Sequence, residues 1–207
     1  PALSPEWIDW LLTELNAASM LRQGIAAPSP SVEVVGTGEL ANSVLRAVLS
    51  ADFSAAYRTD QPSGTCVALT ILATDTFEPD RVAVTALNNA GMPHLAVRVD
   101  PGRARVGPLV IPGVTPCLYC HDLMLCAKDS AWPRLLAQLC QSSTRAQPHL
   151  MAWAAATAAL QVRAFCDDTH PDALSRVIEI NVDDHALHEQ AISVHPYCTC
   201  AQQDSVA

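Results

Sequence analysis

Two close cysteine pairs, Cys117-Leu-Tyr-Cys120 and Cys198-Thr-Cys200, are the residues whose spacing most directly implies chemistry. Two such pairs can supply the four thiolates of a closed tetrahedral zinc site. The same residues also admit a redox-active CxxC beside an unrelated CxC, or cysteines that are buried or disulfide-bonded. A metal held by four thiolates has no position left for water, so such a site staples distant segments and does not assist hydrolysis.

A second candidate is Gly36-Thr-Gly38-Glu-Leu-Ala41, a G-x-G-x-x-A turn. Glycines there let the backbone turn tightly and approach a pyrophosphate, whose charge meets the amides at a helix start. The competing reading is a tight turn kept for packing, with no nucleotide. Nicotinamide-binding folds also want an acid about 20 residues on, where Asp52 and Asp60 flank only a poor strand, Phe53 to Arg58. Asp75 follows an apolar strand, at the sheet edge where ligands bind, and either holds magnesium or caps the segment after it. His121 and His195 adjoin the cysteine pairs as hydrogen-bond donors to thiolates, or are ordinary surface or core histidines. Cys126 and Cys140 read as buried thiols.

The elements that must position these residues alternate. Ser4-Pro5-Glu6 starts an amphipathic helix over residues 4–20, and Gly24 to Pro30 reads as a linker. Strand Val32–Val35 leads through the glycine turn into helix Leu40–Leu49. Strand Val67–Ala73, helix Pro79–Ala90 with Gly91 as its stop, and strand Leu95–Val99 follow. This series predicts an α/β fold: an open, mostly parallel, Rossmann-like sheet with helices on both faces. Arg103–Val110 extends it antiparallel. Helices Ala131–Leu139 and His149–Phe165, then strands Val177–Val182 and Ala191–Val194, complete the chain, whose last residues are expected to fray.

Composition narrows the function. The 207 residues suit one large domain with a short appendage, burying roughly 70 % of the unfolded surface. A formal net charge of −9 argues against nucleic-acid binding, which needs Lys and Arg to neutralise phosphates. No apolar run is long enough to span a bilayer and no signal pattern opens the chain, so the expected location is the cytoplasm. The 8 cysteines need form no disulfide framework in a chain with so large a core. Only one lysine is present, Lys128.

Taken together, Thr74-Asp75, Arg81, Pro112-Gly113, Thr115-Pro116, Cys117, Cys120 and the late pair Cys198 and Cys200 stand in the order seen in the ThiF/MoeB family, which they resemble. These are adenylating enzymes related to ubiquitin-activating enzymes, and the resemblance covers most of residues 32–200. Gly107-Pro-Leu-Val-Ile-Pro-Gly113, Asp129-Ser-Ala-Trp-Pro133 and His195-Pro-Tyr-Cys-Thr-Cys200 more narrowly resemble the actinobacterial cyclodehydratase C, or leader-peptide-binding, proteins. Those work beside YcaO enzymes in forming azolines on ribosomal peptides. The resemblance implies that residues 1–30 are the end of a winged-helix peptide-recognition module with further sequence upstream. It also implies that residues 31–207 are a ThiF-like domain with a four-cysteine zinc site, and that the protein is a homodimer.

Residues 51–66 depart from that pattern, carrying neither the acidic Asn- and Arg-containing segment nor the lysine that hold ATP in the adenylating enzymes. Lys128 lies beyond the CxxC, far in sequence from the glycine turn. Electrostatic stabilisation is the main task in phosphoryl-type chemistry. Gly36, Gly38, Asp75 and Arg81 are therefore expected to form a vestigial nucleotide site, with no ATP turnover by this chain alone. The reading is a zinc-stapled scaffold that binds a precursor peptide and presents it to a YcaO-type partner. The alternative is an ATP-dependent adenylating enzyme with an atypical site. A nicotinamide-dependent oxidoreductase would need a hydride-transfer acid or base that the sequence does not reveal.

Overall fold

The computed structural model describes residues 4–17, 30–63, 67–145 and 147–200. Most of the linker, Met20, Cys66 and residues 201–207 lie outside them. Seven strands form one sheet: β1 (Ser31–Val35), β2 (Ser54–Arg58), β3 (Leu69–Ala73), β4 (His94–Val99), β5 (Arg103–Val110), β6 (Arg176–Asn181) and β7 (Leu187–Ala191), in the order β2-β1-β3-β4-β5-β6-β7. Strands β2, β1, β3 and β4 pair in parallel. β5 is antiparallel to β4, β6 to β5 and β7 to β6, so β6 again shares the direction of the parallel strands.

The residues of β3 and β4 are buried throughout, as expected for strands covered on both faces. On one face Leu69, Ile71, Leu95 and Val97 pack with Val44 and Val48 of α2 (Gly38–Ser50) and with Ala154, Ala158 and Val162 of α6 (Pro148–Cys166). The alanines of α6 thus serve close internal packing against α2. On the other face Leu72 and Ala96 meet Val84 and Leu87 of α3 (Arg81–Asn89) and Leu118 of α4 (Leu118–Lys128). Helix α5 (Trp132–Leu139) lies beside α4. Helix α1 (Pro5–Ala17) starts where Ser4 Oγ accepts from the Trp7 amide at 3.3 Å, and it leaves Trp7 and Trp10 exposed.

The last strand corrects the sequence reading. Pairing continues from β6 across the turn at residues 182–186, so β7 is the polar stretch Leu187–Ala191 and not Ala191–Val194. All five residues of this edge strand are exposed, so no apolar alternation marks it. The weak stretch before residue 60 does form edge strand β2, parallel to β1. Buried Phe53 just before it carries the Arg163 guanidinium 4.3 Å over its ring.

A buried charge network holds the loop between β3 and α3. Glu78, 3 % exposed, accepts from both Arg98 Nη1 (2.8 and 3.0 Å) and Arg81 Nη2 (3.0 Å). Arg98 is itself 1 % exposed, and its Nη2 donates to the Gly107 carbonyl at 2.9 Å. Burial, the largest influence on Glu78, works to raise its pKa, but the charges of Arg98, Arg81 and Arg105 outweigh it and hold the carboxyl at about 2. His94 is also buried, and desolvation lowers its pKa from 6.5 to about 4 despite its contact with the Met92 carbonyl.

Both depressed values put stability on the alkaline side. Neutral His94 stabilises the fold above its unfolded value near 6.5, and this contribution is lost as pH falls toward about 4. Ionised Glu78 adds stability above its unfolded value near 4.5, which is lost toward about 2. Thermal melts are expected to show both declines. Glu78→Gln should shrink the second and, by leaving Arg98 buried without its anion, cost about 3–5 kcal/mol at neutral pH.

Candidate functional site

Cys117 is the N-cap of α4, and Cys120 lies in its first turn, so the pair presents both sulfurs at one helix end. The chain returns from β7 through Ile192 to a turn in which the Cys198 amide donates to the His195 carbonyl at 2.9 Å, bringing Cys198 and Cys200 alongside. All four sulfurs lie within 4.8 Å of one another. Individual separations are 3.4 Å (Cys120 to Cys200), 3.6 Å (Cys117 to Cys198) and 4.0 Å (Cys117 to Cys120). A tetrahedron with Zn–S bonds of about 2.3 Å spaces its sulfurs by roughly 3.8 Å, within that range.

The donor set fits a cation. Burial first, and then the neighbouring sulfurs, push the Cys117 thiol up to about 12, and Cys200 is raised for the same reasons. Burial would also raise Cys120, but its bonds from the His195 and Cys117 groups lower it overall. Four thiolates side by side therefore require a positive charge among them, and this cluster can hold a metal ion. It is also part of the core, packed with Val110, Val177 and Ile192.

The two adjacent histidines contribute differently. The His195 backbone N–H donates to Cys120 Sγ at 3.4 Å, while its ring accepts from the Tyr197 amide. His121 turns its Nε2 to Gln190 at 3.3 Å, and burial, reinforced by the Arg98 charge, lowers its pKa to about 4. Among the described residues, neither imidazole donates to a sulfur.

The glycine turn lies elsewhere, at the carboxyl ends of β1 and β3. Asp75 accepts from the Glu39 amide at 3.0 Å and the Leu40 amide at 3.2 Å. These are amides of the first turn of α2, whose N-cap Thr37 makes no side-chain bond. Asp75 thus caps the helix 35 residues upstream, and not the segment that follows it. Both glycines serve close approach: a β-carbon on Gly36 would strike the Ala73 carbonyl, and one on Gly38 the Asp75 carboxylate. Gly38 also has a φ of +87°.

Arg81 is not brought to this turn. Its guanidinium grips Asp122 of α4 through Nε (2.8 Å) and Nη2 (3.0 Å), and it also donates to Glu78. Asp122 takes a further bond from Trp132 Nε1 at 3.1 Å. Arg81 therefore ties the start of α3 to the helix that carries Cys120.

Two residues overlooked in the sequence do reach the turn. A cavity of about 480 Å³ beside it is lined by Glu39, Asp75, Thr144, Arg145, Pro148 and Met151. The Asp75 carbonyl accepts from the Thr144 amide at 2.7 Å, while Thr144 Oγ1 is buried without a hydrogen-bond partner. A short loop far along the chain gave no sign of this placement, which the bridge Thr76↔Ser143 fixes.

No family model and no curated protein matches the sequence. Solved structures do share its fold. A heterocyclase in complex with substrate and cofactor superposes with a TM-score of 0.69 at 17 % identity, over 98 % of this chain and 32 % of that one. The heterocyclase TruD gives 0.66 at 17 % identity, over 98 % and 35 %. MccB of E. coli with ATP gives 0.64 at 16 % identity, over 83 % and 66 %. The chain therefore shares the fold of these proteins. It spans about a third of the length of the heterocyclases.

Metal analysis of the purified protein should find one ion shared by Cys117, Cys120, Cys198 and Cys200. Cys198→Ser is expected to release it and lower the melting temperature, since metal binding is coupled to folding. Undiminished metal content in that variant would place the ion elsewhere.

Proposed function

We propose that this chain is a zinc-stabilised, ThiF-like scaffold that binds a ribosomal precursor peptide and presents it to a YcaO-type cyclodehydratase, without ATP turnover of its own. Its structural neighbours include heterocyclases and the microcin C7 biosynthetic enzyme MccB in complex with N-formylated MccA. The observation that supports the absence of ATP turnover in this reading is the Asp75 carboxylate on the Glu39 and Leu40 amides. An anionic phosphate docking at this helix start would need those same donors. It would also meet Glu39 and Asp75, two negative charges, while Arg81 is engaged by Asp122 and Glu78.

Zinc in this reading is structural. Cys117, Cys120, Cys198 and Cys200 would hold it, joining the start of α4 to the segment after β7. The role of the residues around it is to fix that junction: Arg81 and Trp132 anchor Asp122, and the His195 amide supports Cys120. As in the ThiF-like proteins it resembles, the chain would act as a homodimer.

A second reading, an adenylating enzyme with an atypical site, is favoured by one feature. Arg145 and the unpartnered Thr144 hydroxyl line the cavity at the glycine turn. Arg145 could offset phosphate charge there if Asp75 turned from the α2 amides toward a divalent cation.

Calorimetric titration separates the two. The full-length protein is expected to bind the leader segment of its precursor peptide and to give no heat with magnesium and ATP. Absence of peptide binding counts against the scaffold. Micromolar ATP binding that weakens on replacing Gly38 or Asp75 establishes the enzyme reading instead.

A further inference from the structure

One face of the cysteine cluster is not sealed by packing. A cavity of about 250 Å³ is walled by Cys117, Cys198 and Cys200 on one side and by Thr85, Asn88 and Asn89 of α3 on the other. The buried Asn88 Oδ1 has no hydrogen-bond partner. A closed structural zinc site surrounded by apolar side chains would exclude small polar oxidants. This one borders a solvent-open cavity, large enough to admit them, into which Thr85, Asn88 and Asn89 place polar groups.

We propose that the cluster is a reversible redox device, in which a small hydroperoxide enters this cavity, oxidises the zinc-bound thiolates to two disulfides and releases the metal. The inference rests on the zinc reading. Each hydroperoxide takes two electrons from a pair of thiolates, an S–S bond forms as its O–O bond breaks, and two protons from solvent complete the products. With hydrogen peroxide, two molecules and four protons convert four thiolates into two disulfides and four waters, and Zn2+ leaves unchanged in oxidation state.

The shortest contacts favour one pairing among four sulfurs that all lie within 4.8 Å. Cys120 lies 3.4 Å from Cys200 and Cys117 lies 3.6 Å from Cys198, whereas Cys117 and Cys120 are 4.0 Å apart. Both shorter contacts join α4 to the C-terminal segment. The disulfides would therefore keep the two segments connected after the zinc has gone. Two molecules of a dithiol, each oxidised to its own disulfide while passing two electrons and two protons to one protein disulfide, would return the four thiols and restore the metal site. Burial pushes the thiols of Cys140 and Cys166 up, which disfavours their reactive thiolate form.

The test treats the zinc-loaded full-length protein with hydrogen peroxide, following released zinc with a chromogenic chelator and mapping disulfides by mass spectrometry. Expected are two peroxides consumed per zinc released, links Cys117–Cys198 and Cys120–Cys200, and recovery of zinc binding after reduction. Thr85→Phe, a change at an exposed position on the cavity wall, should slow release several-fold while leaving zinc content intact. Zinc retained while other cysteines oxidise, links within a pair, or an unchanged rate in Thr85→Phe would overturn the inference. A protein that takes up no zinc before peroxide is added overturns the zinc reading itself.

Discussion

The burial of Glu78 among arginines is the constraint from which the arrangement of both sites follows. A carboxylate removed from water must be met by cations of fixed geometry. Arg98 reaches it from β4 and Arg81 from α3, and Arg81 then extends the chain of charges to Asp122 on α4. The loop between β3 and α3 is thereby held from one side. On its other side the Phe77 and Glu78 amides donate to the Ser142 and Leu139 carbonyls, and the Asp75 carbonyl accepts from Thr144. A loop so restrained delivers the Asp75 side chain to one place, the start of α2.

Two ends of the molecule are linked by this one loop. Toward the sheet's carboxyl edge it seats an acid on helix amides that favour an anion. Toward the cysteine cluster it anchors the helix bearing Cys117 and Cys120. An arginine that the family resemblance assigns to a nucleotide thus has a structural partner in Asp122, and the negative charge at the glycine turn comes from the protein itself. A fold shared with a protein solved with ATP does not by itself carry that protein's chemistry, which depends on the charges at the site.

What could be read from the sequence was local. Leu69–Ala73 is apolar but for Thr70, so its burial on both faces followed from composition, and the cysteine pairs declared themselves through spacing alone. Strand β7 escaped because an edge strand exposed on both faces has no apolar period to detect. The target of Asp75 escaped for a different reason: its partners lie 35 and 36 residues away, and only the adjacency of β1 and β3 brings them together. Arg145 reaches the cavity only because the loop before α6 pairs with the loop after β3. The Glu78 network joins three arginines from separate elements, of which only Arg81, three residues on, is near in sequence.

The seating of Asp75 is the central claim, and it can be measured residue by residue. Hydrogen exchange at the Glu39 and Leu40 amides, compared between the unsubstituted protein and Asp75→Ala, reports directly on those two bonds. Faster exchange confined to the first turn of α2, with α6 unchanged, is the predicted result. Equal rates at both amides in the two proteins would contradict it.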